Sequence, residues 1–468
     1  MRLRPQRYCR NCQKPQLLTL NSPTVKIVIA GAGEVGTHLA KLLSNEEQDI
    51  ILLDSDQSRL DVINDNYNLM TWNGSTSSFE TLRDVGVASS DLYIAVTPYE
   101  TRNITSCAIA KHLGAKKTMA RIDNHEFLIP KNGGVLREIG VDNLIYPEDL
   151  AADEIALSLA HNWASYWGEL HDGQLLLIGV RLHNDNALIN HKLRDLPVKT
   201  HDFHVAAIKR NNTTIIPGGN DEILYDDTVY FITTPPYVQE VMELCGKKKR
   251  VIRKALIIGG SRITLRFATR FHDKYHIKII DNDREHCEEM ATMLPDCEIV
   301  LGDGRDVEVL KENDVDQYDA FLALTDSSET NILTCMSAKE FGVPKTVADV
   351  ENLQFVSQAE NLNIGTIINK KILASSHIFQ ILLDADNSNA KCLALADAEV
   401  AEMRVRKGAK ITKALVKDLR LPPGMTLAAV VKDNKVSLVG GNTKIDEGDF
   451  VVVFCLNGTI SKIEKWFY

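Results

Sequence analysis

Short apolar runs alternate with segments of mixed polarity along this chain, a rhythm that reads as buried parallel strands joined by helices. Val25 to Ala30 is the first run, and Ile50 to Leu53, closed by Asp54, is the second. Gln57 to Asn66 then reads as a helix, Leu69 to Trp72 as a strand, Asn73-Gly74-Ser75 as a turn and Phe79 to Asp84 as a helix. A strand at Leu92 to Val96 closed by Thr97, a helix over Asn103 to Leu113 and a strand at Thr118 to Ile122 complete a βαβαβαβαβ series. Right-handed crossovers fold such a series into a doubly wound parallel sheet, Rossmann-like and α/β in class.

The junction after the first run carries candidate chemistry. Gly31-Ala32-Gly33-Glu34-Val35-Gly36 is a G-x-G-x-x-G that opens a helix. Gly31 allows the tight turn off the strand, Gly33 lacks the Cβ that would block a pyrophosphate, and Gly36 lets helix and strand pack closely. The helix N-terminus offers free N–H groups and a partial positive charge to phosphates. Asp54, 18 residues past Gly36, is placed to accept hydrogen bonds from an adenosine ribose and to repel a 2′-phosphate, so NAD(H) is preferred to NADP(H). Ligands of such sheets sit over the carboxyl ends of the strands, where Gly74, Ser75, Thr97 and Arg121 also fall. Arg121 is placed either to meet a phosphate or to form a structural ion pair.

The pattern then returns. Ala255 to Gly259 is again an apolar strand, Ile277 to Ile280 again ends in an acid, Asp281, and Phe321 to Thr325 repeats Leu92 to Thr97. Gly31 and Gly259, Gly74 and Gly302, Thr97 and Thr325, and Asn103 and Asn331 each lie 228 residues apart, which identifies an internal duplication. The intervening parts repeat at an offset of 222: Val205–Lys209, Gly218–Asn220 and Asp227 with Val229–Ile232 correspond to Leu427–Val431, Gly440–Asn442 and Asp449 with Val451–Phe454. Short alternating strands, Gly turns and a closing helix (Pro236 to Cys245; Thr459 to Phe467) describe a small α+β module. The expected layout is an extension over 1–24, nucleotide-type domains over 25–145 and 255–373, small modules over 146–246 and 374–468, and a basic linker over 247–254.

The halves are not equivalent. The second turn reads Gly259-Gly260-Ser261-Arg262-Ile263-Thr264. Ser261 puts a side chain where a pyrophosphate needs backbone, and Thr264 is expected to crowd the helix against the sheet. Asp281, Gly302, Asp303 and Thr325 keep their places, but Asp349 stands where the first half has Arg121. The first turn is therefore expected to be the firmer site.

With 468 residues, 44% apolar and 25% charged, the chain is a multidomain globular protein of average composition. A formal charge of −10 disfavours a nucleic-acid partner. No apolar run is long enough to span a bilayer. Nine scattered cysteines, with only Cys9 and Cys12 spaced C-x-x-C, fit reduced thiols better than a zinc module. The extension reads as a disordered tail or a C-x-x-C arm, and Lys247-Lys248-Lys249-Arg250 as a solvated linker or a contact for anionic lipid or an acidic partner. Catalytic signatures are missing: no Tyr is followed four positions later by Lys, no G-x-S-x-G or P-loop occurs, and His125, His161, His183 and His204 have no metal-ligand spacing.

The G-A-G-E-V-G after a strand, the acid at the next strand end, the Gly-Ser turn, Ala95-Val96-Thr97 with Asn103 six residues on, and Ala120-Arg121-Ile122 together resemble the RCK or KTN nucleotide-binding domain. The small module resembles its companion domain. Two such pairs in one polypeptide, with Leu421-Pro-Pro-Gly-Met-Thr426 and Ile445-Asp-Glu-Gly-Asp449 near the end, are similar to the tandem members of that family over Val25 to about Phe467. The resemblance implies a cytoplasmic regulator, peripheral on the inner face of the plasma membrane, that gates a separate potassium-conducting membrane subunit. It further implies NAD(H) as a ligand that is not turned over, ATP and ADP as further effectors, and a dimer of tandem chains. The competing reading is an NAD-dependent oxidoreductase with an unrecognised substrate domain, which hydride-transfer assays would distinguish.

Overall fold

The computed structural model describes residues 25–44, 49–67, 69–183, 186–196, 202–211, 213–385, 393–395, 398–433, 435–456, 463 and 465–468. The N-terminal extension with Cys9 and Cys12, and Thr459 at the start of the last expected helix, lie outside the described residues.

The first lobe runs β1 (Lys26–Ala30), α1 (Glu34–Ser44), β2 (Asp49–Asp54), α2 (Gln57–Asn66), β3 (Met70–Asn73), α3 (Phe79–Asp84), β4 (Leu92–Ala95), α4 (Glu100–Leu113), β5 (Lys117–Arg121), α5 (Pro130–Glu138) and β6 (Asn143–Ile145). Its strands form one parallel sheet in the order β3-β2-β1-β4-β5-β6. The sequence reading found five of these strands; β6 is only three residues long and gives too short a run to stand out. Helix α4 starts at Glu100, three residues ahead of the expected Asn103, and its acidic first turn favours that start through the helix dipole. Period-two alternation fills both faces of the sheet: Ile27 and Ile29 pack with α1, while Val28 and Ala30 pack with Cys107 and Ala110 of α4.

α6 (Pro147–Ala160) leads to the first small module, made of β7 (Tyr166–Leu170), β8 (Leu175–Arg181), β9 (Phe203–Arg210), β10 (Thr213–Ile215), β11 (Thr228–Thr233) and α7 (Val238–Leu244). Its antiparallel order is β10-β9-β11-β8-β7. The expected helix over Pro236 to Cys245 divides into a 3₁₀ turn at Pro235–Tyr237 and α7.

The second lobe repeats the first: β12 (Lys254–Ile258), α8 (Arg262–Phe271), β13 (His276–Asp281), α9 (Arg284–Met293), β14 (Glu298–Leu301), α10 (Val307–Glu312), β15 (Ala320–Ala323), α11 (Ser328–Glu340), β16 (Lys345–Asp349), α12 (Leu353–Asn361) and β17 (Thr366–Ile368). Its parallel order, β14-β13-β12-β15-β16-β17, matches that of the first sheet. α13 (Lys370–Ala385) then leads to β18 (Leu393–Leu395), β19 (Ala398–Arg404), β20 (Met425–Lys432), β21 (Lys435–Leu438) and β22 (Phe450–Leu456), ordered β18-β19-β22-β20-β21. Read from the other edge, this is the arrangement of the first small sheet.

The two helices that leave the large lobes do not lie on their own lobes. α6 packs on α8 of the second lobe, burying Ala151, Ala152, Ile155 and Leu159 against Ile263 and Phe267. α13 packs on α1 of the first lobe, burying Ala374 and Ile378 with Val35 and Leu39, and the Ser375 hydroxyl donates to the Val35 carbonyl at 3.3 Å. Each parallel sheet is thus covered on one side by a helix from the other half of the chain. The small sheets also meet, with Leu175, Leu177, Ala206 and Ile232 against Ala428, Ala429, Val452 and Phe454. At this contact His204 Nε2 lies 3.0 Å from Thr426 Oγ1, residues 222 apart and therefore facing each other across the pseudo-two-fold axis.

Ile378 is fully buried in the core of the first lobe. Ile378→Ala is expected to cost about 2–5 kcal/mol and to quicken amide hydrogen exchange in β1 and β2. Unchanged exchange in those strands would show that α13 does not stabilise the first sheet.

Candidate nucleotide site

Asp54 ties the first glycine turn together. Its Oδ2 accepts from the Ala32 N–H at 2.6 Å and its Oδ1 from the Asp56 N–H at 2.8 Å, and each oxygen keeps a lone pair for a further donor. Asp54's own carbonyl accepts from Gly74 N–H at 2.9 Å, which fixes the neighbouring Gly74-Ser75 turn. Gly31 has φ +115°, and a Cβ there would lie 3.0 Å from the Thr97 nitrogen. At Gly36 a Cβ would lie only 1.8 Å from the Gly31 carbonyl oxygen, so helix and strand approach as closely as the missing side chain allows. Gly33 differs from both, because a Cβ built there meets nothing within 4 Å. Its freedom from a side chain serves the space in front of the turn and not the packing behind it.

That space is a cleft of about 830 Å³, large enough for a dinucleotide. Of the residues singled out by sequence, Ala32, Gly33, Glu34, Val35 and Arg121 line it. Gly31, Gly36, Asp54, Gly74, Ser75 and Thr97 do not line it; Asp54 and Thr97 border the turn, and Gly74 is bonded to the Asp54 carbonyl. Thr97 is bound to Asn103: its N–H and hydroxyl both donate to Asn103 Oδ1, at 2.9 and 2.6 Å, and Asn103 Nδ2 donates to the carbonyls of Thr97 and Arg121, each at 2.9 Å. This buried amide clamps the ends of β4 and β5 beside the cleft. Arg121 donates to Asp123 at 3.1 Å, as the ion-pair reading expected, while its buried Nε has no hydrogen-bond partner among the described residues.

The second turn repeats the backbone of the first and adds a side chain at Ser261. Gly260 N–H donates to Asp281 at 2.5 Å, Gly302 N–H to the Asp281 carbonyl at 2.8 Å, and Thr325 is clamped by Asn331 as Thr97 is by Asn103. Asp303 is taken up by Arg305 at 2.7 Å. Ser261 caps α8 with its own side chain, accepting from Thr264 N–H at 3.4 Å and so occupying a donor that an anion would use. A Cβ on Gly260, the counterpart of Ala32, would be 2.6 Å from the methyl carbon of Met290 in α9. One expectation is corrected here: Thr264 does not crowd the sheet. Its hydroxyl donates to the Gly259 carbonyl at 2.6 Å, so a buried polar group is satisfied in the place where Gly36 makes close contact. Ile263 is fully buried, and Arg262 reaches the Asp123 carbonyl of the first half at 3.4 Å.

Sequence reading missed the far wall of the first cleft. Glu351, Leu353, Lys370 and Lys371, all from the second half, line it together with Lys41, Arg59 and Tyr67 of the first. Lys370 lies 3.7 Å from Glu148 and 3.6 Å from Glu351, and Lys371 pairs with Glu34 and with Glu351 at 3.5 Å. Behind them Asp349 is almost fully buried, with Oδ1 unbonded among the described residues. Burial above all, and then Glu351, push its carboxyl up to about 8 against the pull of Lys370. Burial likewise raises Glu148, with Lys370 opposing. The only sequence signal for these contacts is the Lys370-Lys371 pair directly after a strand, which names no partner.

Two parallel doubly wound lobes, each followed by a small antiparallel module, define a tandem RCK protein. The TrkA-N domain family matches residues 27–147 and 255–370, and the TrkA-C domain family matches 177–246 and 400–468. The chain belongs to the TrkA family of Trk system potassium uptake proteins. It is 30% identical over 454 residues to the Trk system potassium uptake protein TrkA of Vibrio alginolyticus, covering 95% of this chain and 98% of that one. Identity is 28% over 453 residues to the Haemophilus influenzae protein of the same name, covering 95% and 98%, and 28% over 454 residues to TrkA homolog 2 of Methanosarcina mazei, covering 95% and 100%. None of these names denotes an enzyme. Among solved structures, the GsuK channel shares the fold with a TM-score of 0.58 at 14% identity, covering 96% of this chain and 79% of that one. The GsuK channel bound to NAD does so with a TM-score of 0.55 at 14% identity, covering 96% and 80%.

Gly36→Val drives side-chain carbons into the Gly31 carbonyl and is expected to lower the melting temperature sharply, whereas Gly33→Val is expected to leave it within a few degrees. Equal losses in thermal denaturation would contradict the open front of the turn. Asp349 keeps its proton in the fold after the unfolded chain has lost it, so its contribution to stability falls as pH rises from about 4 to about 8 and is then constant. Asp349→Asn is therefore expected to melt higher than the parent at pH 8, with the difference shrinking towards pH 4. A gain independent of pH would remove the buried acid as its cause.

Proposed function

We propose that this chain is the peripheral cytoplasmic regulatory subunit of a Trk-type potassium uptake system. On this reading it binds NAD(H) in the first-half cleft and gates a separate potassium-translocating membrane subunit of the TrkH/TrkG type. The observation that carries the proposal is the contrast between the turns in a chain of this family: the first faces an open cleft at Gly33, and in the second Ser261 stands in the place of Gly33 and caps the helix with its own side chain. The NAD named for the GsuK neighbour supports a dinucleotide as the ligand.

When bound, NAD(H) supplies a pyrophosphate, two riboses and an adenine to be recognised. The first-turn N–H groups beside Gly33 would hold the pyrophosphate, the spare lone pairs of Asp54 a ribose, and Arg121 a phosphate. Among the described residues, the facing sheets of the small modules are packed together by Leu175, Leu177, Ala428 and Phe454. Nucleotide binding then works by population shift: a ligand that prefers one arrangement of the lobes moves the equilibrium by the difference in its affinities. ATP and ADP would compete for the same cleft. A dimer of tandem chains would bring four lobe pairs beneath the membrane subunit. No described helix is long and apolar enough to cross a membrane, and attachment would run through the conducting subunit.

NADP(H) is expected to bind at least about tenfold more weakly than NAD(H), or about 1.4 kcal/mol; equal affinities by calorimetry would mean that Asp54 does not face the ribose. Cells lacking their own regulatory subunit should regain regulated potassium uptake when given this chain and its cognate conductor. Gly33→Val should fail in that assay, and Ser261→Val should do less harm. NADH recovered after many binding cycles should be chemically unchanged; steady oxidation with a small organic substrate would overturn the regulator reading.

A further inference from the structure

The two halves carry opposite charges at several matched positions of their interface. Glu34 corresponds to Arg262 and Arg121 to Asp349, each 228 residues apart, and Glu148 to Lys371, 223 apart in the register that matches β6 to β17. At the second turn the cations are already matched: Arg266 bonds Asp149 at 2.6 Å, and Arg270 bonds Asp153 at 2.5 Å and lies 3.7 Å from Asp149. α6 thus presents acids to α8 and closes that side with ion pairs. α13 presents Lys370 and Lys371 to the first turn instead, where the cleft is lined by five cations, Lys41, Arg59, Arg121, Lys370 and Lys371, against two acids, Glu34 and Glu351.

We propose that the first cleft is a split phosphate site, in which Lys370 and Lys371 from the second half of the chain bind the phosphates of the nucleotide held by the glycine turn of the first half. Glu34 is the internal anion that Lys371 releases when the ligand enters. This deepens the nucleotide reading given above and rests on it.

The geometry supplies both parts of the exchange. Lys371 pairs with Glu34, which is exposed on the residue after Gly33, and it also donates to the Glu351 carbonyl at 3.0 Å. A pyrophosphate in front of Gly33 comes up beside the Glu34 carboxylate and repels it, while offering Lys371 two negative charges in place of one. Lys370 lies next to Lys371 and is held between Glu148 and Glu351, with burial and those acids acting on it in opposite senses. Both lysines stand where the chain passes from β17 of the second sheet into α13, the helix that covers the first sheet and continues to the second small module. A phosphate bound there ties the glycine turn of one half to the exit point of the other. The ligand class is an adenine nucleotide with at least two linked phosphates, which dinucleotides and nucleoside diphosphates share.

The test is calorimetric titration of the full chain with NADH and, separately, with ADP. Lys371→Gln should weaken binding about tenfold or more, the loss of a charge-assisted contact. Glu34→Gln should strengthen it about threefold, because a competing anion has gone. Opposite signs are the signature, since damage to the interface would weaken binding in both variants. Both ligands responding alike identifies the linked phosphates as what is read; a response to NADH alone would overturn that assignment of class. If Gly33→Val abolishes binding while neither Lys371→Gln nor Glu34→Gln changes it, the split site is wrong and the glycine-turn site stands. If the parent chain binds neither ligand, both readings fall.

Discussion

Everything about the large lobes depends on where the apolar faces of α6 and α13 are buried. A doubly wound sheet exposes apolar side chains on both faces, and each must be covered. Here one face of each sheet is covered in part by a helix from the other half, Ile155 and Leu159 on the second lobe and Ala374 and Ile378 on the first. Neither lobe completes its core without the other. The duplication is therefore not two beads on a string, and the layer α1, α13, α6, α8 joins the sheets into one body.

Charge then gives that joint a direction. Apolar burial alone would accept α6 and α13 in either place, because the helices descend from one ancestor and share their pattern. Asp149 and Asp153 pair with Arg266 and Arg270, and Lys371 pairs with Glu34, so exchanging the two helices would break these pairs and set Glu148, the counterpart of Lys371, against Glu34. Like-charge pairs in a partly buried interface cost far more than on an open surface. The same pairs make the two glycine turns unequal, one facing cations and the other neutralised. Asymmetry between the sites is thus a consequence of how the halves are told apart.

For a regulator, this arrangement puts the cleft at a joint and not on a rigid face. A ligand in the first cleft lies against α1 on one side and the start of α13 on the other. On the proposed reading, binding there would act on the relation between the halves.

The local chemistry was legible in the sequence. Five apolar runs in the first lobe and three in the second, two glycine turns and the 228-residue repeat identified the parallel lobes, because strand burial and positive-φ turns are constraints that each residue meets locally. Asp54 and Asp281 were placed at strand ends for the same reason, although their bonds to the Ala32 and Gly260 N–H groups show a structural duty that the motif does not mention. The identity of what covers each sheet was not legible, because an amphipathic helix records that it has an apolar face and nothing about which partner meets it. Nothing in the sequence singles out Lys370 and Lys371, which the placing of α13 on the first lobe brings to a cleft whose glycine turn lies more than 300 residues upstream. Thr264 was judged on volume alone, and only the packed structure shows its hydroxyl bonding the Gly259 carbonyl at the end of the strand.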